Sequence, residues 1–203
     1  MSYKPFAATA CSLLLCSSLS ANIGPQGFRQ FKKRVLVETG TFGGDGIQHA
    51  LDAGFNEIHS MDIDPIAVRD SKNRFARNAQ VNIYLKDSSS ELVDVLAGIH
   101  EPVTFWLDAH NGFPDPNAMG VKNTPLLEEL DQIKQHPIKT HTILIDDLHC
   151  CGTLLFDFLT REQIIAKVLE INPNYTINFV AGGNEGEYPD NVLVAHIIDN
   201  AEC

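Results

Sequence analysis

One stretch near the start of the chain constrains the fold more than any other. An apolar run from Arg34 ends in an acid, Glu38, and a glycine-rich turn follows with Gly40 and Gly44. A segment of helical spacing comes next, and a second apolar run ends in another acid, Asp62. This order of strand, turn, helix and strand is typical of the first half of a nucleotide-type cofactor site.

Short apolar runs alternate with segments of helical spacing along the rest of the chain. Several runs are apolar on both sides, as in strands that helices cover on both faces. We therefore predict a doubly wound α/β fold with a mostly parallel sheet. The predicted strands are Val35–Thr39, Glu57–Asp62, Val81–Leu85, Val103–Asp108, His141–Asp146, Tyr175–Val180 and Asn191–Ile197. The predicted helices are Gly44–Ala53, Pro65–Asn78, Ser89–Ile99, Thr124–Gln135 and Thr160–Ile171.

The last two predicted strands are joined differently from the others. The connection, residues 181–190, is rich in glycine and has no helical pattern. Parallel strands need a long crossover, so this short loop favours an antiparallel hairpin. We predict a seven-stranded sheet that a C-terminal antiparallel hairpin closes, in one domain over residues 22–203.

Residues 1–21 differ in composition from the rest of the chain. Lys4 precedes an apolar stretch, and a run of small residues ends at Ala21. Two interpretations stay open, an export signal that is cleaved and an N-terminal arm. The first places the protein outside the cytoplasm or in the periplasm and the second in the cytoplasm, which suits the lack of a disulfide framework. The stretch is too short to span a bilayer, so we expect no stable membrane insertion.

The net charge of the chain is -11, which argues against nucleic acid as the main partner because the phosphate backbone is also negatively charged. We expect a small-molecule substrate, and a homo-oligomer is left open. The long connection at residues 110–122 is a candidate substrate wall, in which Phe113 and Met119 contact substrate or pack within the loop.

Acidic residues end most of the predicted strands. Because the carboxyl ends of parallel strands meet at one edge of a sheet, these side chains predict an acidic rim over a shared crevice. The residues concerned are Glu38, Asp62, Asp87, Asp108, Asp146 and Asp147.

The glycine turn indicates which cofactor the crevice holds. Its glycines miss the G-x-G-x-x-G register of dinucleotide sites, and Glu38 suits a cationic ligand better than a pyrophosphate. S-adenosylmethionine has a sulfonium, an amino acid group and no phosphate. Asp62 is then placed to bind ribose hydroxyls. Two rivals are an exported, non-catalytic binding protein that keeps the pocket and a nicotinamide-dependent oxidoreductase, which needs phosphate-binding glycines.

Over residues 34–198 the chain resembles the class I S-adenosylmethionine-dependent methyltransferases. The turn after Glu38 is similar to that of the small catechol-type O-methyltransferases. Residues 105–110, 125–130 and 143–147 resemble bacterial relatives of macrocin-type sugar O-methyltransferases. The resemblance implies a Rossmann-like methyltransferase fold and transfer of a methyl group to a small-molecule or sugar hydroxyl. The cofactor-binding residues it implies are Glu38, Gly40, Thr41, Phe42, Gly44, Asp62, Ile63, Asp87, Ser88 and Asp108.

The resemblance also implies a metal site. Asp108, Asp146 and Asp147 are its candidate ligands for a divalent cation, and carboxylate oxygens suit Mg²⁺. The alternative is that Asp108 lies near the methionine part of the cofactor and that the Asp146–Asp147 pair caps a loop.

Two histidines are candidate general bases. His110 lies two residues after Asp108, and His149 lies two residues after Asp147. An imidazole titrates near neutrality and therefore suits proton removal from a hydroxyl. We favour His110. The catechol-type enzymes carry a lysine base in this neighbourhood, and no lysine follows Asp108 closely here.

Overall fold

The computed structural model describes residues 23–111, 122–182 and 188–198. The N-terminal segment 1–21 and the loop residues Phe113 and Met119 lie outside these ranges. Seven strands form one sheet in the order β3-β2-β1-β4-β5-β7-β6. All neighbours pair in parallel except β7, which is antiparallel to both β5 and β6. The strands are β1 Val35–Thr39, β2 Glu57–Asp62, β3 Val81–Leu85, β4 Thr104–Leu107, β5 Thr142–Ile145, β6 Thr176–Gly182 and β7 Tyr188–His196.

Helices cover both faces of the sheet. Those on one face are α1 Gly24–Gln30, α2 Asp45–Ala53 and α3 Pro65–Arg74, and those on the other are α4 Ser88–Leu96, α5 Leu126–Gln135 and α6 Arg161–Ile171. Two short 3₁₀ turns, Leu148–Cys150 and Leu154–Phe156, follow β5. The strands between these layers are buried on both sides, which explains their continuous apolar runs. The predicted seven-stranded sheet and its C-terminal hairpin are confirmed.

Helix α1 was not predicted from the sequence. Gly24, Pro25 and Gly27 give this segment a low helix propensity. Its Phe28 is fully buried, and the ring packs edge-on against Trp106 at 5.2 Å. Aromatic burial therefore fixes α1 against the sheet, where local propensity alone would not.

Element boundaries differ from the prediction where capping residues decide them. Helix α4 begins at Ser88, because the Asp87 side chain accepts the Ser89 N–H and caps the helix. Helix α3 ends at Arg74, short of the predicted Asn78, and β7 begins at Tyr188 instead of Asn191. Among the described residues, no helix is both long and apolar enough to cross a membrane.

Candidate functional site

The turn after β1 brings the ends of β1 and β4 into contact. Gly40 has a φ of +84°, a conformation that glycine adopts readily. A Cβ atom at this position would lie 2.4 Å from the Asp108 carbonyl oxygen, so no larger residue fits without movement of the backbone. The Gly40 and Thr41 N–H groups both donate to the Met61 carbonyl, which joins the turn to β2 as well.

The same turn is packed against α3. Gly44 precedes α2 with a φ of +81°, and a Cβ there would lie 2.6 Å from the Phe75 ring. Phe42 also has a positive φ, +41°, yet its side chain is 66% exposed. A bulky residue in this conformation is uncommon and costs backbone strain, and such strain is often found at functional sites. Because the Phe42 ring is exposed, it is available to pack against a ligand.

Asp62 ties the turn to the end of β2. Its Oδ2 accepts the Phe42 N–H at 2.7 Å, and its Oδ1 accepts the Asp64 N–H at 2.8 Å. Burial raises the pKa of Asp62, and the two backbone hydrogen bonds oppose that shift. Each carboxylate oxygen retains a further lone pair, so the group can still accept from hydroxyls. Neighbouring Ile63 is 38% exposed beside it.

At the end of β3, the predicted cofactor-binding residues Asp87 and Ser88 also have structural partners. Asp87 caps α4, and its own N–H donates to Glu91 Oε2 at 2.8 Å. Ser88 is buried, and its carbonyl accepts a hydrogen bond from Gln132 Nε2. This part of the rim is therefore held rigidly by α4 and α5.

Glu38 lies below the rim instead of on it. The residue is 1% exposed, and Ser60 Oγ donates to its Oε2 at 2.5 Å. Thr41 Oγ1 is hydrogen-bonded to Ser60 Oγ at 2.6 Å, which makes a short buried chain of hydroxyls that ends at the carboxyl. Burial raises the pKa of Glu38 to about 8, so the side chain is largely protonated at neutral pH. A cationic ligand thus does not reach Glu38 directly in this structure.

The raised pKa of Glu38 predicts a pH dependence of stability. The unfolded carboxyl loses its proton near 4.5 and the folded one near 8, so between these values the folded state binds more protons and stability falls as pH rises. We expect Glu38→Gln to remove up to about 1.4 kcal/mol per pH unit of this decline. Urea unfolding from pH 5 to 9 measures it. The exposed control Asp94→Asn should keep the wild-type slope, and an unchanged slope in Glu38→Gln would refute the assignment.

Beyond β4 and β5, the structure brings together Asp108, His110 and Asp147. His110 Nε2 lies 3.2 Å from Asp147 Oδ2, and its Nδ1 lies 3.6 Å from Asp108 Oδ1. One ligand atom from each side chain falls within 4.8 Å of the others. Burial raises the pKa of Asp108, the neighbouring His110 side chain opposes this, and the Asp147 charge adds to it. The three groups form a mostly buried cluster that suits either proton transfer or a cation.

Asp146 does not belong to this cluster. It is 2% exposed, and its Oδ1 accepts the Asp147 N–H at 2.7 Å and Asn191 Nδ2 at 3.2 Å. The predicted set of three aspartates is thus replaced, in the structure, by two aspartates and His110. Asp147 has a positive φ of +57°, and its carboxylate contacts both His110 and Asn191 Nδ2.

His149, the second candidate base, lies beside the other carboxylate oxygen of Asp147, with its Nδ1 3.5 Å from Oδ1. Its ring stacks on Tyr188 at 4.6 Å, and its Nδ1 is 2.7 Å from Asn191 Oδ1. The backbone N–H of His149 donates to the same oxygen. Asn191 therefore organises both Asp146 and His149, a role that its position at a strand start did not indicate.

Glu129 was also missed by the sequence analysis. This α5 residue is 1% exposed and lines a narrow pocket beside Asp108 and His110. Its helix was predicted, but an acid on an amphipathic helix is normally assigned to the solvent side.

Comparisons with known proteins bear on the fold. No protein-family model matches the chain, and no curated protein is significantly similar to it in sequence. Solved structures do match. A protein of Clostridium thermocellum described as an rRNA methylase aligns with a TM-score of 0.60 and 12% identity, over 86% of this chain and 95% of its own. The chain has the class I methyltransferase fold.

Other matching structures carry different names. A methyltransferase of Podospora anserina, solved with S-adenosylhomocysteine, has a TM-score of 0.55 and 12% identity, over 86% of this chain and 76% of its own. The N-methyltransferase NodS of Bradyrhizobium japonicum has a TM-score of 0.53 and 12% identity, over 83% and 86%. These identities establish a shared architecture, while the acceptors named differ from one protein to another.

Proposed function

We propose that this protein is an S-adenosylmethionine-dependent methyltransferase. One observation carries the proposal: the Gly40 turn, Asp62 and Asp108 converge where the strand order reverses, between β1 and β4. In open α/β sheets that crevice is where ligands bind. The fold shared with methyltransferases supports the same conclusion.

The chemistry of the crevice favours this cofactor over a dinucleotide. Asp62 and Asp108 are acidic, and both belong to the rim that a pyrophosphate would have to approach. S-adenosylmethionine offers a sulfonium and an ammonium to such a rim. We place the ribose at Asp62, the adenine beside Asp87 and Ser88, and the methionine portion toward Asp108. Exposed Phe42 and Ile63 flank this path, and Thr41, Gly40 and Gly44 shape its floor.

We further propose that oxygen is the methyl acceptor and that His110 removes its proton. Nε2–H of His110 donates to Asp147, the shorter of its two carboxylate contacts. Nδ1, at the longer 3.6 Å contact to Asp108, then takes the proton of the acceptor hydroxyl. The oxygen attacks the methyl carbon, the carbon–sulfur bond breaks toward sulfur, and S-adenosylhomocysteine leaves. The two aspartates orient the imidazole and stabilise its protonated form.

A divalent cation provides a second arrangement at the same place. Two carboxylates and one imidazole within 4.8 Å fit such an ion, with His110 as the third ligand in place of Asp146. A bound cation such as Mg²⁺ lowers the pKa of an acceptor hydroxyl and orients it. In this arrangement Asp108, His110 and Asp147 would together hold the ion, and His110 would not act as a base.

An activity assay with several acceptors tests the acceptor class, and the same assay with a chelator separates the two arrangements. We expect release of S-adenosylhomocysteine with small catechols or sugars and not with nucleic acid, which a net charge of -11 disfavours as a partner. Activity that survives EDTA supports His110 as base, whereas a loss of about 100-fold that Mg²⁺ restores supports the cation. Turnover confined to amine or RNA acceptors would contradict O-methylation of small molecules.

A further inference from the structure

The carboxyl of Glu129 is buried, and one of its two oxygens lacks a hydrogen-bond partner among the described residues. Its Oε1 makes no hydrogen bond of normal geometry to any described residue, and neither does the neighbouring Thr39 Oγ1. Burial raises the pKa of Glu129 to about 7, and the hydroxyls of Ser88 and Thr39 oppose the shift. A buried acceptor left unpaired costs stability, so such atoms commonly mark a place where a ligand completes the bonding.

The surroundings of Glu129 indicate the charge of that ligand. Asp108 lies close enough to raise the pKa of Glu129 further. Among the ion pairs of the described residues, no lysine or arginine contacts Glu129. Burying two acids together without a cation is unfavourable. A small cationic donor would satisfy both the charge and the unpaired oxygen.

The pocket that Glu129 lines is at the correct end of the proposed cofactor path. Asp87, Asp62, the Gly40 turn and Asp108 follow the strand order β3-β2-β1-β4 across the rim. The path spans three strand spacings, about 14 Å in total. With adenine at β3 and ribose at β2, the amino acid end of the cofactor arrives at β4, where Glu129, Asp108 and Ala109 line the pocket.

From these observations we propose that Glu129 binds the α-ammonium group of S-adenosylmethionine. The inference rests on the proposed function and assigns a group of the cofactor to a helix α5 residue outside the rim. Thr39 Oγ1 provides a second acceptor for the same ammonium. Glu38 is as buried as Glu129, but it accepts a hydrogen bond from Ser60 and does not line this pocket, so it is not available for this role.

Calorimetric titration with three ligands related to the cofactor tests whether Glu129 binds the ammonium group. S-adenosylhomocysteine has the amine and the carboxylate, its decarboxylated analogue keeps only the amine, and 5′-methylthioadenosine lacks both. We expect Glu129→Gln to weaken the two amine-containing ligands about 10- to 150-fold, the range for a charged hydrogen bond, and to leave methylthioadenosine unchanged. Asp131→Asn, an exposed acid on the same helix, should change none of them.

The possible results test the role of Glu129 separately from the proposed binding of S-adenosylmethionine. Equal weakening of all three ligands in Glu129→Gln would show a structural role and overturn the assignment, as would no weakening at all. Failure of the wild type to bind S-adenosylhomocysteine would instead refute the cofactor proposal itself. Thermal unfolding of each variant shows whether the fold is intact, and Glu129→Asp, which keeps the charge, should recover part of the amine selectivity.

Discussion

Replacing His110 with alanine should lower kcat about 100- to 10,000-fold, the usual contribution of a general base. His110 lies between Asp108 and Asp147, and either proton removal or cation binding there depends on its imidazole. The affinity for S-adenosylmethionine should change by less than about threefold, since the loss is confined to the chemical step. Single-turnover kinetics with calorimetry of cofactor binding measures both quantities.

The pH–rate profile adds a readout that packing would not alter. If His110 is the base, its removal should abolish the acidic limb of the profile. His149→Ala provides the comparison variant, because that imidazole also lies beside Asp147, at 3.5 Å, but it bonds to Asn191 and stacks on Tyr188. We expect it to keep kcat within about fivefold. A silent His110→Ala, or a larger loss in His149→Ala, would contradict the assignment.

Substituting Gly40 with alanine should disrupt both the fold and the cofactor site. The new Cβ would lie 2.4 Å from the Asp108 carbonyl oxygen, in a backbone conformation with a φ of +84°. We expect a stability loss of about 2 to 4 kcal/mol, because backbone rather than a flexible side chain must move. S-adenosylmethionine should bind at least about tenfold more weakly as the ends of β1 and β4 separate.

The adjacent turn supplies a control for that substitution. A Cβ on Gly43 would meet no atom within 4 Å, and its φ is not in the left-handed range. Gly43→Ala should therefore unfold within about 1 kcal/mol of the wild type and keep its cofactor affinity. Urea denaturation and calorimetry of both variants check this. Similar behaviour of the two alanine variants would show that the close contact of Gly40 with β4 is unimportant.

The sheet was predictable because its signals are local. Apolar runs that end in acids specify the parallel strands, and the sequence of residues 181–190, which has no helical pattern, specifies the hairpin. Helix α1 has no such signal, since Phe28 is held by a contact with Trp106, which is distant in the sequence. Its low propensity is overcome only by tertiary burial.

The sequence predicted which acidic residues lie at the edge of the sheet, but not how their side chains are oriented. Strand ends placed Asp62 and Asp108 at one edge, but backbone dihedral angles decided which side of the rim each neighbour faces. Asp146 and Asp147 are adjacent in sequence, yet of the two it is Asp147, with its positive φ, that joins the cluster with His110. The burial of Glu38 and Glu129 depends on packing against Ser60 and helix α4, and a linear pattern does not contain that information.

Calorimetric titration with S-adenosylmethionine tests the central claim most directly, with NAD as the comparison ligand. We predict saturable one-to-one binding of S-adenosylmethionine with a dissociation constant in about the micromolar range, and no heat from NAD. Asp62→Asn should weaken that binding about tenfold or more, because an amide replaces the charged acceptor for ribose hydroxyls. Absence of S-adenosylmethionine binding by the wild type, or preferential binding of NAD, would contradict the account.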